Sequence, residues 1–312
     1  MKMNGEERIR PKKSDRPVVA LILVAVLALL FGSLGPGNHE EQHAAGISSA
    51  LNVLSFNIRY DNPADGPNAW PNRKDLVAKT ILFHEAGLVG MQEALRGQIA
   101  DLDSLLPGYA RFGVGRDDGR EGGEFNPIFY RRDRFRLMSQ STFWLSATPA
   151  VAGSRGWDAA CNRIVTWGEF EDLTSSARFF LFNTHFDHRG PVARRESAGL
   201  LLRKVAEIAG DAPLIVTGDF NCAAADEPYL ILRAGVENGP ALLDSRDLSQ
   251  AGSYGGSSSF NGFKNDTTSG AMIDHIFVRH VAAVSRHGIL VDRGDGRFVS
   301  DHYPVLAGIV LK

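Results

Sequence analysis

Cysteine is scarce in this chain, with only Cys161 and Cys222 among 312 residues. The most they can supply is one disulfide in an oxidising compartment; two free, half-buried thiols are the alternative. No cysteine stands near the N-terminus to accept a lipid. Net charge is nearly absent too, since 34 Lys and Arg against 36 Asp and Glu leave −2. That argues against a broad basic surface gripping nucleic acid by counterion release, although a local patch can exist on a neutral protein. Beyond residue 45 there is no run rich in Lys and Arg and no basic groove interleaved with aromatics, so single-strand binding is not signalled. Self-similarity at a period of about 20–50 residues is also missing, which excludes a repeat array.

What is present divides at the N-terminus. In residues 1–16, Lys2, Arg8, Arg10, Lys12, Lys13 and Arg16 outnumber Glu6, Glu7 and Asp15. Residues 17–35 then carry no charge and are almost wholly apolar. At about 1.5 Å per residue, a helix of about 18 of them reaches ~27 Å, just enough to cross a bilayer. Unbroken hydrophobicity beside a basic flank argues against a core helix. An uncleaved signal anchor or a signal peptide remains, and HAAG at 43–46 is a poor cleavage site, which tilts the reading to an anchor. The basic flank keeps the N-terminus cytoplasmic, so the rest is expected outside the cytoplasm, anchored or secreted. Residues 36–49, rich in Gly, His and Glu, read as a linker.

From residue 50 to 312 the chain alternates strands and helices. With 44% hydrophobic and 22% charged residues it can bury one large core or two modest ones. Val, Ile and Phe enrichment between turn residues predicts strands at 51–59, 88–92, 127–131, 164–171, 178–185, 213–218, 273–279 and 304–311. Helices are expected at 73–86, 96–105 and 191–210. In the last, Ala198, Leu201, Leu202, Val205, Ile208 and Ala209 make one apolar stripe, and Gly210 ends it. Such mixing predicts a layered α/β domain.

Six of these segments end an apolar run in polar residues suited to metal or phosphate chemistry. They are LNVLSFNIRYDN (51–62), LVGMQEA (88–94), FFLFNTHFDHRG (179–190), LIVTGDFNC (214–222), MIDHIFV (272–278) and VSDHYPVLAGIVL (299–311). Between them they carry Asn57, Glu93, His185, Asp219, Asn221, Asp274, Asp301 and His302, which suggests one site where strand ends meet. Phosphate ester hydrolysis needs charge neutralisation on the phosphoryl oxygens, a positioned water and a stabilised leaving group. Mg²⁺ suits the first task, being a hard cation held by one or two carboxylates while keeping waters and substrate oxygens; Mn²⁺ is the expected substitute. Glu93 closes an apolar run, where an unpaired carboxylate is costly and a partner cation is expected; in isolation it is an ordinary strand-end Glu. Asp219 and Asn221 stand two apart, so on an extended strand they point the same way, as a water-positioning pair would; a turn cap is the plainer reading.

The motifs QE, NTHF, GDFN, IDHIFV and SDHYPV, in this order, resemble the endonuclease/exonuclease/phosphatase superfamily, from about Leu51 to Leu311. That resemblance implies a catalytic domain over 50–312, with an α/β (α+β) fold, a four-layer sandwich of two facing mixed β-sheets flanked by helices. It implies Glu93, Asn57 and Asp301 as the metal shell, with one ion or two left open. Asp219 would act as base or orienter, and Asn221 would hold water and phosphate. His302 would contact the scissile phosphate with Asp274 fixing its tautomer, and His185 would donate to a phosphoryl or leaving-group oxygen.

Arg163, His188, Arg189 and Glu124 are secondary candidates for substrate binding, the two arginines as bidentate phosphate clamps, with solvated surface charge the competing reading. His275 should face away from Asp274 by strand alternation, and Trp70 and Trp144 should pack or line a rim. The loop 252–271 offers Phe260, Phe263 and Lys264 for substrate choice, a floppy linker being the alternative. The leading expectation is a Mg²⁺-dependent phosphoesterase acting on a sugar, inositol or lipid headgroup. An exported nuclease is the second, with nucleic acid a less favoured partner, and an inactive binding module on the same fold is the third.

Overall fold

The strands of this protein are mostly buried on both faces, so their apolar runs read as continuous and not as alternating. In β1 (Leu51–Asn57), Val53 points into one apolar layer and Leu54 and Phe56 into another. The structure is a computed structural model describing residues 50–264 and 270–312, all within the unit Gly46–Lys312. The basic segment 1–16, the apolar segment 17–35, the linker 36–49 and residues 265–269 of the long loop lie outside the described residues.

After β1 come β2 (Leu88–Gln92), β3 (Tyr109–Phe112), β4 (Ile128–Arg131), β5 (Phe135–Trp144), β6 (Ile164–Asp172), β7 (Arg178–His185) and β8 (Leu214–Asp219). They are followed by β9 (Leu243–Asp244), β10 (Ser253–Tyr254), β11 (Asp274–Arg279), β12 (Ala283–Ile289), β13 (Arg293–Gly294), β14 (Arg297–Phe298) and β15 (Val305–Val310). One sheet has seven strands in the order β10-β12-β15-β1-β2-β4-β3, the other six in the order β5-β6-β7-β8-β11-β9, and β13 and β14 form a small ribbon. Helices α1 (Lys74–Phe83) and α2 (Arg96–Leu105) cover the first sheet, and α3 (Pro191–Ala209) and α4 (Glu227–Ala234) cover the second.

Three apolar layers fill this four-layer sandwich. Val53, Leu88, Phe170, Leu181, Ile215 and Ile276 pack between the sheets. Leu54, Val89 and Met91 meet Val77, Ile81, Ile99 and Leu102 of α1 and α2. Phe182, Val216 and Phe277 meet Leu201, Leu202 and Val205 of α3 and Leu232 of α4. At about 25 cal/mol per Å² of apolar surface, burial on this scale is the main stabilising term.

Toward one end of the sandwich the inter-sheet layer turns polar. Gln92 Nε2 donates to Asn183 Oδ1 at 2.7 Å, Thr217 Oγ1 donates to the same oxygen at 3.1 Å, and Asn183 Nδ2 donates to the Met91 carbonyl at 2.7 Å. These groups are fully buried and tie β2 to β7 and β8. Gly90 makes the room: a Cβ there would meet Thr217 Oγ1 at 2.1 Å and Asn183 Oδ1 at 2.6 Å.

The expected strands and helices are present with small shifts. The first helix stops at Phe83 and not at 86, because Glu85 turns left-handed at φ 49° and Gly87 N joins the Asn52 carbonyl. Seven strands were not expected: β3, β5, β12 and the two-residue β9, β10, β13 and β14. β3 and β5 are sheet edges, and the middle of β5, Arg136–Ser141, is mostly exposed and polar, so no apolar run marks it. β12 carries a register shift between Val284 and Arg286 that breaks its alternation. Gly90→Ala should cost about 2–3 kcal/mol through overpacking, visible as a melting temperature lowered by at least ~4 °C. An unchanged melting curve would mean the polar seam yields freely.

Candidate active site

Strand register gathers the polar tips. β7 and β8 run parallel with His185 opposite Asp219, and β8 and β11 run antiparallel with Asp219 opposite Asp274. In the other sheet β1 and β2 run parallel with Asn57 opposite Gln92, which puts Glu93 one residue beyond the tip. β15 runs antiparallel to β1, so the Asp301–His302 segment before it arrives at the same end. Six strands thus deliver their polar termini to one edge of the sandwich.

Asn57 sits at the centre, 1% exposed. Its Nδ2 lies 3.0 Å from Glu93 Oε1, 3.0 Å from Asp219 Oδ2 and 3.4 Å from His302 Nε2. Its Oδ1 accepts from Arg59 N at 3.0 Å. Asp219 Oδ2 also lies 3.4 Å from His185 Nε2 and 3.8 Å from His302 Nε2. His302 Nδ1 pairs with Asp274 Oδ2 at 2.8 Å, so the expected Asp–His contact is present. His275 points the other way, to Asp244 Oδ2 and the Cys222 carbonyl, as alternation required.

Burial and the neighbouring Asp274 push the Asp219 carboxyl up to about 7. Burial, offset in part by His302 and aided by Glu93, raises Asp301. For His302 burial favours the neutral ring, but the Asp274 and Asp219 carboxylates prevail and hold it well above the ordinary histidine value. His185 goes the other way, held well below by burial and by Arg163 and Arg116. Two buried histidines within reach of one carboxylate therefore carry opposite protonation tendencies, which suits one for a cationic role and the other for a neutral one.

Asn221 departs from expectation. β8 ends at Asp219 and Asn221 is left-handed at φ 47°, so the two do not share an extended face. Asp219 Oδ1 accepts from Asn221 N at 3.0 Å, and Asn221 Nδ2 donates to the Phe186 carbonyl at 3.0 Å. Asp219 thus caps the turn with one oxygen and aims the other at Asn57. Asn221 still lines the cavity.

That cavity measures about 530 Å³ and also takes in Arg59, Tyr60, Arg116, Glu124, Cys161, Arg163, His188 and Phe260. Glu124, Arg163 and His188, named as candidates from sequence, line this cavity. Arg189 does not: it is exposed and absent from the lining, because Asp187 Oδ1 takes the amides of Arg189 and Gly190 and turns the chain away. Arg59 and Arg116 were missed, although Arg59 lies in the quoted segment NIRYDN, two residues past Asn57. Trp70 and Trp144 are buried, donating to Asp101 and to the Arg116 carbonyl. Phe260 meets the His302 ring edge-on at 5.0 Å, while Phe263 packs on Phe298. The loop's described part is pinned, not floppy, since Ser259 Oγ accepts from the Ile273 and Asp274 amides and Asn261 N joins the Asp301 carbonyl.

Cys161 and Cys222 are both free. Cys161, Asp187 and His188 lie close enough for a metal by distance alone. Asp187 is already saturated, however, by the Ala160, Cys161, Arg189 and Gly190 amides and by Arg163 Nε. Burial alone would raise its carboxyl, yet these donors hold it far below the usual range. It organises two loops and has no lone pair to spare for an ion. The strand-tip set fits a divalent cation better. Glu93, His185 and Asp219 bring ligand atoms within 4.8 Å of one another, as do Asp219, Asp274 and His302; Asp301 lines the same cavity, and His185 Nδ1 and Asp274 Oδ1 are buried without a partner. Hard oxygen donors in excess of cations are the donor set that Mg²⁺ takes.

The family whose sequence model matches these residues is described as the Endonuclease/Exonuclease/phosphatase family, over 54–302. The chain belongs to that family. Members of the endonuclease/exonuclease/phosphatase family hydrolyse phosphoester bonds and typically use divalent metals, so this protein is a phosphoester-hydrolysing enzyme. The crystal structure of an endonuclease/exonuclease/phosphatase from Bacteroides vulgatus is 41% identical, with a TM-score of 0.80 over 84% of this chain and 99% of that one. A Bacteroides thetaiotaomicron VPI-5482 mannosyl-6-phosphatase is 38% identical, with a TM-score of 0.77 over 84% of this chain and 100% of that one. Nocturnin of Drosophila melanogaster is 24% identical over 196 residues, 57% of this chain, and the match spans 29% of that protein.

Asp187→Ala should strand these loop donors at about 1–3 kcal/mol each where they stay buried. Hydrogen exchange at Ala160, Cys161 and Gly190 should accelerate while exchange in β7 holds. Equal protection in the variant would remove Asp187 from its loop-organising role.

Proposed function

We propose that the protein is a Mg²⁺-dependent phosphoesterase acting on a small hydroxylated phosphoester such as a sugar, inositol or lipid-headgroup phosphate, outside the cytoplasm. The observation that carries this reading is the convergence of Glu93, Asp219 and His302, from both sheets, on one cavity around the buried Asn57 amide. The mannosyl-6-phosphatase among the relatives supports the substrate class. An inactive binding module would not need this complete set of groups.

Glu93, Asn57 and Asp301 are the residues we assign to hold the cation, which when bound would neutralise phosphoryl oxygens and stabilise the leaving group. Asp219 Oδ2 would orient or deprotonate the attacking water, with Asn57 Nδ2 holding that carboxylate in place. His302, cationic and braced by Asp274, would donate from Nε2 to a phosphoryl oxygen. His185 as a neutral ring has one N–H. Its Nε2 faces Asp219, so donation to a phosphoryl or leaving-group oxygen requires exchanging that partner. Asn221 would border the water and phosphate from its turn.

Glu93→Gln should remove most Mg²⁺-dependent hydrolysis while the melting temperature stays put. Asp219→Asn and His302→Ala should each lower kcat by at least ~100-fold, the usual floor for an acid–base participant. Asp274→Asn should cost less, because it only misorients His302. Near-normal turnover of Glu93→Gln at limiting Mg²⁺ would remove the metal assignment, and a harmless Asp274→Asn beside a severe His302→Ala would dissolve the pair's role.

No helix among the described residues is long and apolar enough to cross a membrane, so attachment rests on residues 17–35. A reporter fused after residue 45 should read an extracytoplasmic location, and protease protection of the domain in intact spheroplasts would contradict that.

A further inference from the structure

Beside the strand-tip carboxylates, the cavity is lined by Arg116, Glu124, Arg163 and His188, whose chemistry differs from that of the phosphate end. Every arginine on the lining has its own carboxylate. Arg59 Nε lies 2.9 Å from Asp65, Arg116 Nη1 2.6 Å from Glu124 and Arg163 Nε 3.4 Å from Asp187. No guanidinium there is left as surplus positive charge, so a second phosphate would find no uncompensated partner.

Hydrogen-bonding capacity is nonetheless left over. Arg163 is only 4% exposed, yet its Nη1 has no partner, and Arg116 Nε has none either. Arg163 Nη2 donates to His188 Nδ1 at 2.9 Å, which places the neutral ring's proton on Nε2 as a further donor. Burial and the nearby Arg163 favour that neutral form. Glu124 supplies the acceptor. Donors and one acceptor on a charge-compensated wall match groups that both give and take hydrogen bonds, namely hydroxyls. A buried donor left unmet costs about 1–3 kcal/mol, so a ligand that meets it is selected over one that does not.

We propose that Arg116, Glu124, Arg163 and His188 form the leaving-group subsite, and that it takes an uncharged, hydroxyl-rich group carrying a single phosphate, a monosaccharide or similar polyol. A bisphosphate or a nucleic-acid chain is excluded by the absence of uncompensated charge. This rests on the phosphoesterase reading above and narrows its substrate.

The test uses the full chain with Mg²⁺ and three probes: glucose 6-phosphate, glucose 1,6-bisphosphate and phenyl phosphate. The wild type should prefer the monophosphate over the bisphosphate by at least ~10-fold in kcat/KM, about one hydrogen bond's worth of discrimination. Glu124→Gln releases Arg116 from its counter-charge and should lower that ratio by at least ~10-fold. Arg163→Lys keeps the charge but loses the guanidinium fork, and should raise KM for glucose 6-phosphate more than for phenyl phosphate. A wild type that takes the bisphosphate equally well, or a ratio unmoved in Glu124→Gln, overturns the subsite. Phenyl phosphate offers no hydroxyls, so Mg²⁺-dependent turnover of it tests the phosphoesterase reading separately. Calorimetric binding of the two sugar phosphates reads the same ratio even in a protein that turns nothing over.

Discussion

One neutral amide holds the site together. Asn57 Nδ2 lies within 3.0 Å of a Glu93 oxygen beyond one sheet and an Asp219 oxygen at the tip of the other. A carboxamide can stand between two carboxylates without adding charge, where a lysine would form an ion pair and consume the negative potential a cation needs. Its placement depends on register alone. β1 and β2 run parallel, as do β7 and β8, so their C-terminal tips share an edge, while β11 and β15 enter from that edge in the opposite direction. A slip of one residue in any of these would turn the tip residue to the opposite face.

Such a site is costly. Burial raises Asp219 and Asp301, and three non-glycine residues at the tips, Arg59, Glu93 and Asn221, take left-handed backbone, each costing about 1 kcal/mol or more. The three apolar layers offset this, and the seam of Gln92, Asn183 and Thr217 grades the inter-sheet core from hydrocarbon into the polar tips with its hydrogen bonds largely met. The loop around Phe260 and the Asp187 turn then close the rim by hydrogen bonds to backbone, a stiffer arrangement than composition suggests.

Most of the fold was legible because buried strands carry dense Val, Ile and Phe runs, and α2 lies where the pattern put it. Edge strand β5 was invisible, since its exposed polar residues carry no such signal. Among site residues, Asn57, Glu93, His185 and Asp219 meet because each ends an apolar run, while Asp274 and His302 join them from the start of one. Asp301 arrives with His302, and Arg59 Nε approaches it at 3.7 Å. Asn221 was misread through the assumption of extended backbone, which Asp219's own side chain breaks. Arg116 was missed because nothing local marks it: Glu124, eight residues on, and the Trp144 indole bonded to its carbonyl fix it through tertiary contacts. Arg189 looked useful only because the demand of Asp187 for its backbone amide is not written in its side chain.

The most direct measurement of this account is anomalous diffraction from crystals of the described domain soaked in Mn²⁺. Strong density within coordination distance of Glu93 and Asp301, beside Asn57, is the predicted result. Density at Cys161, Asp187 and His188 instead, or none at the strand tips, would contradict it.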